Sequence, residues 1–325
     1  MPLRRYTKGR IAVKQWSLLS DPEVLAVRAN CYAALERFPP PLADAGRRVL
    51  DRICSPNWTL EWYLPRWLGY AFGLQPEVSH ALVLSNVFGL AYIRLQDDLM
   101  DGEVDQTSWK TTTLLASVFY HQAILLYTQF FDTKSPFWDY LEQFMAQWRR
   151  ATLSSNEPPT TDFRSFEEED FLRLAERGAP LKICCVGACL LAGREELIPT
   201  LTSAVDHLLV GAVLFDHARD WADDLAAGRY NTFVAYATSQ PQVRHQREAN
   251  RLSVLEEIYL GDAARPYFDL IRKHIRVAME KARAVDCPDL NQYLLLFEGQ
   301  VITYGERLAD EARARLRAAA EQLLG

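Results

Sequence analysis

Two groups of aspartates in apolar surroundings are the residues whose types and spacing could do chemistry. The first lies in the segment LQDDLMDGEVD and the second in FDHARDWADDLAAGRYN. Asp97, Asp98, Asp101 and Asp105 of the first group stand at offsets of 0, 1, 4 and 8 residues. At about 100° per residue, these positions fill an arc of roughly 100° on a helix. We therefore expect all four carboxylates to face one side.

The second group repeats every fourth residue. Asp216, Asp220 and Asp224 again fall within an arc of roughly 100° on a helix. Like charges at this spacing destabilise a helix unless a cation screens them. Carboxylates suit a hard divalent ion, and Mg²⁺ usually takes one or two of them while phosphates and water complete its octahedron. The two groups together predict a diphosphate clamp, in which about three Mg²⁺ ions give a surplus of positive charge that the aspartates balance.

The elements that position these aspartates are predicted to be long helices. Glycine and proline are sparse, at 15 and 16 of 325 residues, and helical apolar patterns recur along the chain without a strand-like alternation. Each aspartate group ends an apolar helix, and Gly102 ends or kinks the first of them. We predict an all-α chain that forms one domain over residues 1–325. The predicted long helices are 76–101, 109–131, 137–151, 199–227, 265–284 and 290–323.

The composition excludes several classes of protein. A net charge of −6 argues against a general nucleic-acid binder, whose affinity would come from a basic surface. The six cysteines lie mostly in apolar stretches and are expected to be reduced core residues. The start, MPLRRYTKGRIAVKQW, lacks the apolar stretch of a secretory signal, and the apolar runs are too short to span a bilayer. We expect a cytoplasmic protein without a membrane span.

The segment Asp97-Asp98-Leu99-Met100-Asp101 resembles the DDxxD motif of the class I isoprenoid (terpene) synthases. The second group resembles the other metal motif of that family, in which three ligands four residues apart are followed by a glycine, here Gly228. The resemblance covers roughly residues 82–234. It implies a single large antiparallel helical bundle with a central apolar pocket, and it makes a homodimer an expectation. It also implies that the catalytic residues are Mg²⁺ ligands, with Mn²⁺ as an alternative ion; they are Asp97, Asp98, Asp101, Asp216, Asp220 and Asp224.

Other features of the sequence bear on the subfamily. An all-aspartate second motif is more typical of squalene and phytoene synthases than of bacterial terpene cyclases. Chain-elongating prenyltransferases usually carry an arginine pair shortly after DDxxD, but GEVDQTSWK follows Asp101 here. Gly46-Arg47-Arg48 is a partial match to the basic motif that those enzymes have near the N-terminus. The missing arginine pair favours a cyclase, which binds a single diphosphate.

Four further residues are predicted to bind the diphosphate of the substrate, because a departing diphosphate needs cationic hydrogen-bond donors besides metal. Arg229 and Tyr230 directly follow the second group. Arg177 resembles a diphosphate-sensing arginine that the family often has upstream of its second motif. Lys182 resembles the lysine that prenyltransferases place before a helix of small residues.

The function that we expect is ionisation of one prenyl diphosphate, of C15 or C20, to give a cyclised or rearranged terpene and diphosphate. Such an enzyme is a lyase of isoprenoid biosynthesis. The alternative is a prenyltransferase of the squalene/phytoene or chain-elongating kind, which condenses two prenyl diphosphates. A third interpretation is a non-catalytic helical subunit of a prenyl synthase.

Overall fold

The regular structure is helical throughout the part of the chain that the computed structural model describes. The described residues are 17–55, 58–154, 163–239, 254, 257–258 and 263–324, and no strand occurs among them. The prediction of an all-α fold is therefore confirmed. The α-helices are α1 (Pro22–Leu35), α2 (Pro40–Ile53), α3 (Thr59–Ala71), α4 (Pro76–Met100), α5 (Trp109–Tyr127), α6 (Phe137–Ser154), α7 (Glu168–Leu174), α8 (Lys182–Leu191), α9 (Ile198–Ala227), α10 (Thr232–Thr238), α11 (Ala264–Val285) and α12 (Pro288–Leu324).

The predicted long helices are all present, with ends that differ by a few residues. The largest difference is at α5, which ends at Tyr127 rather than at Phe131. Beyond Thr128 the backbone bonds change, since Gln129 N–H donates to the carbonyl of Leu126 and Phe130 N–H to that of Tyr127. This spacing of three residues is that of a 3₁₀ turn, so the apolar pattern runs past the end of the α-helix.

The chain divides into two compact units. The first consists of Met1–Gln143, Pro180–Pro199 and Asp286–Leu290, and the second of Phe144–Ala179, Thr200–Val285 and Asn291–Gly325. The prediction of a single domain stays a prediction.

The first unit contains the end of α4. Its helices α3 and α4 pass very close together at Gly69, where an added Cβ would lie 2.3 Å from Ser79 Oγ. The rings of Phe131 and Phe137 stack with their centroids 4.0 Å apart, and the ring of Tyr127 lies 4.7 Å from that of Phe137. The start of α4 therefore packs closely against α3, and aromatic rings pack together at the start of α6.

The second unit is organised around α9. Gly211 lets α9 approach α11, because an added Cβ would meet the side chain of Ile275 at 3.1 Å. About one turn further along α9, the hydroxyl of Tyr267 from α11 donates to the carbonyl oxygen of Leu214 at 3.1 Å. The same face of α11 is buried over its whole length. The position of the second aspartate group along α9 is therefore set by close packing.

Two helical segments are long and apolar enough to cross a membrane by length and composition alone. They are Pro76–Met100 and Glu195–Ala227, and their most apolar windows are 56% and 50% buried inside the protein. Core helices of soluble proteins pass the same test, so this finding is weak evidence for a span. The six cysteines are buried and free, as expected for reduced core residues.

Candidate functional site

Asp98 is the most enclosed carboxylate of the first aspartate group. Its side chain is only 7% exposed, and two arginines contact it. Arg94, one turn earlier on α4, donates from Nη2 to Oδ1 at 2.7 Å. Arg52, near the end of α2, donates from Nη2 to Oδ2. A buried carboxylate is thus neutralised by two guanidinium groups, and that of Arg94 also lies 3.8 Å from Asp97.

The helix α4 ends within the first group. Asp101 is exposed at the C-cap, and Gly102 follows with a φ of 70°, a left-handed conformation that favours glycine. Asp105 therefore lies beyond the helix, and the prediction that all four carboxylates share one helical face was wrong for this residue. Its carboxylate instead accepts hydrogen bonds from Thr107 and Ser108. The Thr107 hydroxyl bond is the main reason that the pKa of Asp105 lies below its ordinary value.

The second group lies on α9, with Asp216 and Asp220 partly exposed and Asp224 on the next turn. The side chain of Asp224 is 13% exposed and is held from two sides. Arg229 donates to its Oδ1 from Nε at 3.0 Å and from Nη2 at 2.8 Å, and Asn231 donates to its Oδ2 at 2.8 Å. At least one carboxylate of each group therefore accepts hydrogen bonds from arginine.

The turn after α9 places the partners of Asp224. Gly228 has a φ of 68°, and Arg229 N–H donates to the carbonyl oxygen of Asp224 at 2.9 Å. The chain then reverses into α10, where the Asn231 side chain accepts from the N–H groups of Phe233 and Val234. An asparagine at this position satisfies amides that a helix start otherwise leaves unpaired. Asn231 therefore caps α10 and orients Asp224 at the same time.

His217 lies beside the second group as a neutral imidazole. Its Nδ1 accepts from the backbone N–H of Thr232 at 3.1 Å and lies 2.7 Å from the Thr232 hydroxyl. Because Nδ1 accepts from an amide, it carries no proton, and the ring proton is on Nε2. Burial lowers the pKa of His217 despite the nearby charges of Asp224 and Asp216. The imidazole therefore supplies no positive charge at neutral pH.

Each group has at least one aspartate where the helix itself disfavours negative charge. The C-terminal end of a helix carries a partial negative charge, and acidic residues in the last turn are disfavoured there. Asp97 and Asp98 fall in the last turn of α4, and Asp224 falls in the last turn of α9. Carboxylate oxygens near a helix end that needs positive charge fit Mg²⁺, since this ion takes oxygen ligands. On Asp98 and Asp224 the ion would have to compete with arginine for the carboxylate.

The four residues predicted to bind diphosphate have different surroundings. Arg229 is placed on Asp224, and its neighbour Tyr230 is half-buried, which raises the pKa of that tyrosine to about 12. Arg177 is exposed in a 3₁₀ helix, Ala175–Leu181, of the second unit. Lys182 is buried at the start of α8 in the first unit. Of these four residues, Arg229 therefore contacts a predicted metal ligand, Asp224.

Sequence reasoning missed three residues that hold the aspartates. Arg94 could have been found, because it precedes Asp98 by four residues on a predicted helix and such pairs face each other. Asn231 could have been found as a helix cap before Thr-Phe-Val. Arg52 carries no such signal, since 46 residues separate it from Asp98.

Two solved structures with a similar fold are prenyl synthetases. A geranylgeranyl pyrophosphate synthetase from the archaeon Geoglobus acetivorans superposes with a TM-score of 0.63 and 15% identity, over 88% of this chain and 97% of that one. A polyprenyl synthetase from Streptomyces coelicolor A3(2) gives a TM-score of 0.61 and 15% identity, over 86% and 97%. No protein-family model matches the chain, and no curated protein matches it in sequence. The chain therefore has the helical fold of these two synthetases.

Proposed function

We propose that the chain is an enzyme that acts on prenyl diphosphates, and that it joins two of them as a prenyltransferase. The observation that carries this proposal is that an aspartate group lies at the C-terminal end of both α4 and α9 in a chain that has this fold. The two similar structures are named as synthetases of prenyl chains, which supports a prenyltransferase over a cyclase. Sequence reasoning placed these two activities in the opposite order.

The proposed cofactor is Mg²⁺, with Mn²⁺ as an alternative. When bound, it would neutralise charge on a departing diphosphate as a Lewis acid. The proposed ligands are the exposed Asp101, the partly exposed Asp216 and Asp220, and the arginine-bound Asp98 and Asp224, with Asp97 beside them. Oxygen ligands without thiolates match the preference of this ion.

The arginines have two proposed roles. Without metal, Arg52 and Arg94 neutralise Asp98, and Arg229 neutralises Asp224. Once a carboxylate binds metal, the guanidinium that it releases can donate to diphosphate oxygens, for which its planar fork is well suited. The side chains of Arg52 and Arg229 are 49% and 62% exposed, so both can reorient.

The second candidate function is a terpene cyclase that uses one C15 or C20 diphosphate. It is supported by the sequence after Asp101, which lacks the arginine pair that elongating enzymes use for a second diphosphate. A third candidate is a catalytically silent subunit of a prenyl synthase. In such a subunit the aspartates would have no part in catalysis.

The test is to incubate the pure chain with Mg²⁺ and C10, C15 or C20 allylic diphosphates, each alone and with isopentenyl diphosphate. Mass-detected chromatography then counts product carbons. A product longer than the allylic substrate supports the prenyltransferase, whether it is extended by one C5 unit or joined from two copies. A hydrocarbon or alcohol of unchanged carbon number supports the cyclase.

Aspartate variants distinguish catalysis by this chain from catalysis by a contaminating enzyme. Asp98→Asn and Asp220→Asn should each abolish product formation, whereas Asp139→Asn, an exposed aspartate near the start of α6, should leave it unchanged. Silence of the unmodified chain with every substrate combination would overturn both enzyme proposals and leave the non-catalytic subunit.

A further inference from the structure

Three ligand-type side chains outside the aspartate groups meet in the second unit. They are Glu168 at the start of α7, His207 in α9 and His274 in α11, and one ligand atom of each lies within 4.8 Å of the others. The two histidines are buried, and the side chain of Glu168 is 50% exposed. Three helices that are distant in sequence therefore converge on one small volume.

The separations between these atoms match those around a tetrahedral metal ion. His207 Nδ1 lies 3.0 Å from His274 Nδ1 and 3.5 Å from a carboxylate oxygen of Glu168. An ion with bonds of about 2.0–2.2 Å to nitrogen and oxygen holds tetrahedral ligand atoms about 3.3–3.6 Å apart. The 3.5 Å separation lies in that range, and the 3.0 Å separation between the imidazoles is slightly shorter. Glu168 is exposed enough to rotate and complete the arrangement.

The histidine pair is poorly explained as a packing element. The Nδ1 atoms of the two rings face each other, so one Nδ1 must be unprotonated to accept a hydrogen bond from the other. Both histidines are buried, and the Phe171 ring lies 5.2 Å from the His274 imidazole. Burying two polar rings in such surroundings costs free energy unless their nitrogens find partners. An apolar side chain would fill this place with greater stability.

The chemical state of the pair suits a metal softer than Mg²⁺. Burial lowers the pKa of His207, and it lowers that of His274 to about 4, so both rings are neutral at pH 7 and have lone pairs available. Two imidazoles and one carboxylate form a ligand set that Zn²⁺ takes, with water as the fourth ligand. Mg²⁺ instead selects oxygen ligands in an octahedron.

We propose that Glu168, His207 and His274 bind a Zn²⁺ ion, independently of the aspartate groups and of the proposed prenyl chemistry. Both imidazoles coordinate through Nδ1, and Glu168 coordinates through one carboxylate oxygen. The fourth position takes water from the exposed side, where Glu168 meets solvent. The ion joins the start of α7 to α9 and α11, and so fixes the position of a helix of seven residues.

The experiment measures Zn²⁺ binding to the metal-free full-length chain, by competition with a chromogenic chelator in excess Mg²⁺. The Mg²⁺ occupies carboxylate sites that would otherwise take up Zn²⁺. We expect one tightly bound ion per chain. Replacement by Co²⁺ should give the strong visible absorption of a four-coordinate site, which a loosely held surface ion would not give.

Variants tie the ion to this cluster. Glu168→Gln should weaken Zn²⁺ binding about tenfold or more, and Glu168→Gln with His207→Gln should abolish it, whereas His121→Gln, an exposed histidine of α5, should change nothing. Circular dichroism verifies that each variant is folded. Zn²⁺ should also raise the thermal midpoint of the unmodified chain and not that of the double variant. Equal affinity in all variants, or no bound ion in the unmodified chain, would overturn the proposal and leave a hydrogen-bonded histidine pair.

Discussion

Replacing Asp98 by asparagine tests whether its arginines stabilise the metal-free chain. The amide keeps the size of the side chain but loses the charge, and its NH₂ group faces one guanidinium instead of accepting from it. Hydrogen bonds to charged groups contribute about 1.5–3 kcal/mol when buried and less when a partner is exposed. The side chains of Arg94 and Arg52 are 28% and 49% exposed, so we assign each contact about 1 kcal/mol of net stabilisation.

A second effect opposes the first. Removing a negative charge from the last turn of α4 relieves its repulsion with the helix dipole, which is worth about 0.3–1 kcal/mol. For Asp98→Asn the lost arginine contacts win, and the free energy of unfolding should fall by about 1–2 kcal/mol. Asp101 is exposed at the end of the same helix, and among the described residues it forms no ion pair. Asp101→Asn should therefore leave stability unchanged or raise it by about 0.5 kcal/mol.

Urea unfolding of the two variants in the presence of a chelator measures these free energies. The assay for product formation, run with Mg²⁺ on the same preparations, should find both variants inactive, because both carboxylates are proposed ligands. If Asp98→Asn lowers stability, Asp101→Asn does not, and both lose activity, then the loss of activity reflects metal binding and not a loss of folding stability. Equal stability of Asp98→Asn and the unmodified chain would refute the role assigned to Arg52 and Arg94.

Two other predictions concern the first unit. Gly69→Ala should destabilise the chain by about 1–3 kcal/mol, because the new Cβ would lie 2.3 Å from Ser79 Oγ and 2.8 Å from Ser79 Cβ. Adding Ser79→Gly should restore part of the lost stability in thermal unfolding. No recovery would contradict this packing argument. Partial burial raises the pKa of Asp21, but hydrogen bonds from Arg66 and Tyr63 outweigh it and hold that pKa below 3.8. The charge of Asp21 therefore stabilises the fold above pH 3.8, and this stabilisation is lost as pH falls through the lower folded pKa. In urea unfolding, the difference in stability between the unmodified chain and Asp21→Asn should shrink below pH 3.8. A difference that stays constant with pH would show that the charge has no role.

Periodicity predicted the long helices, because burial of one face dictates their pattern locally. It predicted α4 and α9 to within one residue at each end. It placed Asp105 wrongly, since offsets alone do not reveal where a helix stops, and Gly102 decided that. The contacts that hold the site aspartates were harder to predict. Those made by Arg229 and Asn231 are local turns, whereas the contact between Arg52 and Asp98 depends on how α2 packs.

The arginine contacts also bear on the order in which ligands bind. A metal ion that takes Asp98 or Asp224 repels the guanidinium already paired with that carboxylate, so part of its binding energy is used to weaken an ion pair. The arginine is then left with a weakened partner until an anion arrives, and diphosphate is such an anion. Metal alone and diphosphate alone therefore each break contacts that only the two together replace. It follows that Mg²⁺ and diphosphate should bind with positive coupling, each raising the affinity for the other by the same factor.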